Sequence, residues 1–368
     1  MQREVSQKFR FYTFICIVLL LLVHGYNLNE TYLTPYSLVK ENLTVTAFLE
    51  YFLANCLLRF RIPMLFAISG YIFAMQDWRP YGLRIQRRAK GLMIPYFVWS
   101  ALGLLLTYLL QRFPVTAEAV RASQLDQLGD NRPYEQIGIA GMLYRWLIAP
   151  VSFQLWFLRS LFIYNLLYPL IKKIVLTYPV IWFSLLSLLW WVFFSQFFIE
   201  SQSLLFFSAG IWLCKTKFAI ERKPVWLSTT LCWLIFIGLS VIKTFMAFEF
   251  EETTDVSVLL FSFLHMMTAT AGIAAVWYSG DAFVHKAMSK NWLVTLTGFS
   301  FIIYAMHVPL LPYITRLLFM LMHGLPYYRL LTYLLAALLV FLICIGTGAL
   351  LRRLAPRLYV WMTGGRGF

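Results

Sequence analysis

In 368 residues the chain is 61% hydrophobic and only 13% charged, against roughly 45–50% apolar in soluble domains, which excludes a soluble globular domain of any size. The net charge of +15 speaks for topology and against nucleic acid, because the basic residues sit in short loops between apolar runs. The five cysteines lack the close spacing of a metal site or a disulfide framework and read as small packing residues.

The N-terminus has a basic start and an apolar core with no small-residue cleavage site behind it, so it reads as a retained first helix and not as a removable signal peptide. Windows near the ~20 residues that cross a ~30 Å hydrocarbon core fall at 11–27, 62–76, 92–110, 153–171, 180–199, 203–214, 225–243, 256–279, 293–312 and 330–351. The expected fold is an all-α, polytopic membrane helix bundle of about ten transmembrane helices, forming a single domain over 1–368. Cations mark one set of loops: Arg3, Lys8 and Arg10; Arg79 to Lys90; Lys172 and Lys173; Lys215 to Lys223; Lys286 and Lys290; Arg352 to Arg357. These loops and both termini are assigned to the cytoplasm. Most acids, among them Glu118, Asp126, Asp130, Glu135 and Glu249, fall in the opposite loops. The longest outer segment, about 111–141, is polar enough to leave the membrane and reads as a lid or partner surface. Sequons at Asn29 and Asn42 matter only in a eukaryotic secretory route. No internal repeat is visible, which argues against a transporter of inverted halves.

Five segments carry residues with chemistry. The run IVLLLLVHGYN ends in His24, near the outer end of the first span. A histidine there exchanges a proton near neutral pH, and ionisable groups at membrane depth face a bundle interior or a wet cavity. His24 is thus a candidate general base; the plain alternative is an interfacial ring among headgroups. In RFRIPMLFAISGYIF, Ser69 and Gly70 permit close helix approach or irregular backbone along a cavity. Arg59 and Arg61 of that segment fall in the outer half of the span, where they snorkel, pair with Glu50 or meet an anionic lipid-linked substrate. In LRIQRRAKGLMIPYFVW, the density of Arg84, Arg87, Arg88 and Lys90 ahead of a helix suits phosphates, although the positive-inside rule alone also yields a basic loop. In FQLWFLRSLFIYNLLYPL, Trp156 marks the outer interface and Arg159 enters the membrane a turn later, where it needs a partner or water. In TGFSFIIYAMHVPLL, His307 falls in the outer half of the ninth span, so two histidines share one leaflet, and Pro309 bends the helix. His285 and His323 read as loop residues and His265 as a packing histidine.

Taken together and in this order, the five segments resemble the membrane acyltransferase-3 family, whose members O-acylate saccharides and other envelope molecules. The resemblance rests on the first-helix His24, on FAISGY, on the basic run ahead of IPYFVW, on LWFLRSL and on SFIIYAMHVPLL, and it spans nearly the whole chain. Two positions depart from the pattern. Thr13 stands eleven residues before the histidine, where relatives often carry a cation, with Arg10 and Lys8 nearby. The family's R-x-x-R reads either as Arg84 with Arg87 or as Arg87 with Lys90, and Gly91 occupies a spot where relatives often have another cation.

The resemblance implies an acyl-CoA co-substrate, usually acetyl-CoA, at the cytoplasmic face of a bacterial inner membrane. The acceptor is then a hydroxyl of an extracytoplasmic saccharide or glycolipid, and no tightly bound cofactor or metal is expected. On that reading Arg84, Arg87, Arg88, Lys90 and Arg10 hold the CoA. His24, as base or covalent acyl carrier, acts with His307 and Ser69, while Arg59, Arg61, Arg159, Trp156 and Tyr304 meet the acceptor. Two other classes stay open: a polysaccharide or lipid-linked sugar transporter or flippase, and a sensor or scaffold without catalysis, which Thr13 makes conceivable.

Overall fold

The computed structural model describes residues 3–30, 33–123, 134, 136–196 and 198–366. In hydrocarbon a backbone can satisfy its polar groups only within its own helix, and the long apolar runs do so. In chain order the main helices are α1 (Arg3–His24), α2 (Val45–Met75), α3 (Tyr81–Leu110), α4 (Phe153–Leu166), α5 (Tyr168–Thr177), α6 (Pro179–Trp191), α7 (Ser201–Lys215), α8 (Thr229–Glu249), α9 (Asp255–Ser279), α10 (Ser300–Met322) and α11 (Tyr328–Leu354). Side-chain caps start several of them: Thr44 accepts from Ala47 N–H, Ser228 from Leu231 N–H, and Thr254 with Ser257 forms a capping box.

The expected ten spans are not reached. Among the described residues seven helices, α1 to α3 and α8 to α11, are long and apolar enough to cross a membrane, with α4 and α5, bent by 68°, forming an eighth when taken as one span. The shortfall is one of reach. Helices α6 and α7 have 13 and 15 residues, about 20 and 22 Å at 1.5 Å per residue, against a core of ~30 Å. The window 203–214 is itself short of a span, and the window 180–199 runs past the end of α6 at Trp191. Two further differences concern starts. The basic run expected as a loop is helical from Tyr81, with Arg84 N–H donating to Pro80 O at 3.2 Å, because its Arg, Gln and Lys residues are good helix formers. The stretch 293–312 is two helices, Asn291–Thr297 and α10, parted at Gly298 and Phe299. Residues 124–133 and Glu135, which include Asp126 and Asp130 of the polar outer segment, lie outside the described residues, as does Thr31 of the first sequon.

The chain divides into two compact units: Met1–Leu19, Leu28–Gln86 and Ser160–Val294 form the first, and Leu20–Asn27, Arg87–Arg159 and Thr295–Phe368 the second. In the first, α2 and α7 touch backbone to backbone. A methyl group on Gly70 would sit 2.1 Å from Phe207 O, and one on Gly210 2.0 Å from Ala67 O, the small-residue packing that lets membrane helices approach. Within α2 a π-helical turn (Phe52–Cys56) and a 3-10 turn (Leu57–Phe60) disturb the regular ladder. Lys243 of α8, fully buried, donates to Asn55 O there at 3.0 Å, and Arg59 donates to Asn55 Oδ1 at 2.7 Å.

At the other end of α2, Asp77 gathers three helix ends. It accepts from Lys172 of α5 at 2.7 Å, from Lys215 at the end of α7 at 2.5 Å, and from Arg84 of α3 at 2.6 Å. One carboxylate thus brings Arg84, Lys172 and Lys215 together.

In the second unit, α11 packs on α10 through Gly348, where an added methyl would meet Phe299 and Ile302 at 2.9 and 3.0 Å. Val120, Tyr134, Val151, Val308 and Tyr313 form a buried apolar cluster beside the α10 bend. All five cysteines are free, and Cys16, Cys56 and Cys344 are buried.

Candidate functional site

Two histidines 283 positions apart in sequence meet in the second unit. His24 closes α1 and is half-buried; His307 lies in α10 and is fully buried. Their ring centroids are 5.6 Å apart with planes 26° from parallel, and Phe153 meets His24 edge-on at 5.0 Å. His307 Nδ1 lies 2.8 Å from Tyr304 O and 3.1 Å from Ile303 O. A carbonyl only accepts, so Nδ1 carries the proton, and in the neutral ring Nε2 keeps the lone pair.

The bend in α10 explains how that geometry is held. Val308 leaves helical geometry at φ −110°, ψ 131°. Pro309 has no N–H to offer Ala305 O, and Pro312 has none for Val308 O, so a regular helix would leave both carbonyls bare. Gln154, which is 3% exposed, supplies the missing donor: its Nε2 lies 3.1 Å from Ala305 O and 3.1 Å from Val308 O. Tyr304 answers by donating its hydroxyl to Gln154 O at 2.7 Å. Gln154 and Tyr304 therefore clamp the turn that carries His307. Sequence reasoning quoted the segment around Gln154 without singling it out. The available signal was the spacing of the prolines, three apart in one helix, which demands a side-chain donor.

The other expected residues fall as follows. Tyr304 is in the histidine cluster, 6.4 Å between ring centroids from His307, with its hydroxyl committed to Gln154. Arg159 and Trp156 are in α4 of the same region; Arg159 donates to Ile148 O at 2.6 Å and also hydrogen-bonds the Tyr96 side chain. Arg87, Arg88 and Lys90 lie on the first turns of α3, with Arg87 and Lys90 exposed. Nearby, Arg366 donates to Gly91 O at 2.7 Å, where a π-helical turn (Ala89–Met93) interrupts the ladder.

The remaining sequence-derived candidates belong to the first unit. Ser69 is half-buried beside the Gly70 contact. Arg59 binds Asn55 and Leu33 O, and the 2%-exposed Arg61 binds Leu58 O. Arg10 donates to Val294 O at 2.8 Å. Arg84, expected among the phosphate ligands, is instead 4% exposed and paired with Asp77. Asp77 was not singled out in the sequence, although a lone acid amid Arg79, Arg84, Arg87 and Arg88 was the available sign. Burial alone would raise its carboxyl, but hydrogen bonds from Lys172, Lys215 and Tyr168 outweigh that and hold it well below the usual carboxylate range.

Comparison with known proteins bears on what this site does. The profile of a family described as an acyltransferase domain matches residues 10–351. The succinoglycan biosynthesis protein ExoH of Rhizobium meliloti (strain 1021) is 27% identical over 374 residues, covering 100% of this chain and 94% of that protein. No solved structure matches the chain significantly.

Proposed function

Because the chain belongs to the acyltransferase-3 family, we propose that it transfers an acyl group, acetyl in the first instance, from cytoplasmic acyl-CoA to a hydroxyl of an extracytoplasmic saccharide or glycolipid. The observation that carries this reading is the His24–His307 pair, 5.6 Å between ring centroids, held by the Gln154 clamp. The relative named for succinoglycan biosynthesis favours a polysaccharide acceptor, and the apolar helices favour a membrane setting, with a bacterial inner membrane as the proposed location.

His24, the more accessible ring, takes the proton of the acceptor hydroxyl as the oxygen attacks the thioester carbonyl. The tetrahedral adduct collapses, the C–S bond breaks, and the CoA thiolate recovers the proton from the imidazolium. His307 lies against His24, anchored through Nδ1–H, and sets the position of that ring. Arg87, Arg88 and Lys90 are the cations of the second unit that bind CoA phosphates.

The test is transfer of label from [14C]acetyl-CoA and [14C]succinyl-CoA to polysaccharide fragments by purified protein in detergent, with the ester identified by alkali release. Ester formation is the expected result. Movement of saccharide across proteoliposomes without any acyl donor, and no ester, would instead identify a transporter.

A further inference from the structure

The first unit contains a cavity of about 770 Å³ beside Asp77 that none of the chemistry above uses. Four cations line it, Arg79, Arg84, Lys172 and Lys173, and Asp77 is the only acid among its lining residues. We propose that this cavity binds a phosphate ester, with Arg79, Lys172 and Lys173 meeting the phosphate oxygens and Asp77 fixing the Arg84 and Lys172 side chains that frame them.

The positive-inside rule accounts for cations in solvated loops but not for this arrangement. Arg84 is 4% exposed and wedged between aromatic faces, 4.1 Å over the Phe73 ring and 4.7 Å over Tyr168. Its Nε–H is buried with no acceptor among the described residues. Desolvating a guanidinium is costly unless its donors are used. Asp77 already accepts from Arg84, Lys172, Lys215 and Tyr168, so it cannot neutralise Arg79 and Lys173 as well. Its depressed carboxyl keeps it ionised, and the positive surplus is met by an anion from outside.

Phosphate fits that requirement best. It carries up to two charges on tetrahedral oxygens, suits a mixture of lysine point charges and arginine forks, and its esters match the cavity, whose volume falls within the ~300–1,000 Å³ of ordinary ligand sites. Two sources share this chemistry: the adenosine 3′-phosphate portion of acyl-CoA, an identification that rests on the acyl-CoA reading above, and a phosphomonoester lipid headgroup.

The experiment uses a double variant, Arg79→Gln with Lys173→Gln, which leaves every Asp77 contact in place, and Lys172→Gln as a second variant. Calorimetry with adenosine 3′,5′-bisphosphate tests the nucleotide source. Nanodiscs containing phosphatidic acid, compared with phosphatidylcholine alone, test the lipid source through the shift in melting temperature. Affinity for at least one probe is expected to fall tenfold or more in both variants, and the probe affected names the source. Equal binding by wild type and variants, or no binding of either probe by wild type, would overturn the proposal. Phosphate binding without acyl transfer would count against the proposed reaction and leave this site standing.

Discussion

Replacing Gln154 with leucine isolates the clamp on the α10 bend. The apolar side chain keeps most of the volume, so the cavity contribution is small, while the donor to Ala305 O and Val308 O disappears. Each buried carbonyl left without a partner costs about 1–3 kcal/mol, so the pair sets an expected loss of about 2–6 kcal/mol. That is a large part of the ~5–15 kcal/mol typical of a folded domain. Equilibrium unfolding in mixed micelles measures the loss directly. Because the same turn carries His307, acyl transfer per folded molecule should fall as well. Gln154→Met serves as the control for shape, since a thioether of similar length offers no N–H and should reproduce the defect. Wild-type stability and turnover in both variants would refute the role given to Gln154.

Tyr304→Phe removes the hydroxyl that Gln154 O accepts at 2.7 Å. It should cost about 1 kcal/mol alone and less than that on top of Gln154→Leu, because the two side chains act as one network; a double-mutant cycle checks this. Gly70→Ala places a methyl 2.1 Å from Phe207 O and forces α2 from α7, with an expected loss of about 1–3 kcal/mol of stability. Asp77→Asn should destabilise the protein by about 1–3 kcal/mol at neutral pH. The folded carboxyl lies below its ordinary 3.8, so its stabilisation is complete above the unfolded value and fades as pH falls through it towards the folded one. The stability gap between wild type and variant should therefore be flat above about pH 5 and narrow below about pH 4. A gap independent of pH down to 2 would contradict the assignment.

The apolar stretches are largely helical, because a 3.6-residue ladder satisfies the backbone locally among apolar side chains. However, 153–171 and 293–312 are each two helices, and 180–199 leaves the helix after Trp191. Whether a helix also crosses the membrane depends on length, and α6 ends at Trp191 after 13 residues while α7 runs only 15 residues from Ser201 to Lys215. His24 and His307 were each legible as ionisable groups within apolar segments. Their meeting was not, since it depends on how α1 and α10 pack and on a bend held by Gln154. Arg59 was expected to snorkel, pair with Glu50 or meet an anionic substrate; it donates to Leu33 O and to Asn55, inside a π-helical turn that no periodicity announces. Arg84 illustrates the opposite limit. Charge density placed it among phosphate ligands, and only the fold shows that Asp77, seven residues earlier, holds its guanidinium.

The most direct test of acyl chemistry at the histidine pair is single-turnover transfer from labelled acyl-CoA to polysaccharide by wild type, His24→Ala and His307→Ala, each first shown to unfold at the wild-type denaturant midpoint. General-base contributions of about 10²- to 10⁴-fold set the expected outcome: ester forms rapidly in wild type and at least a hundredfold more slowly in His24→Ala, with an intermediate rate in His307→Ala. Transfer by His24→Ala at the wild-type rate would contradict it.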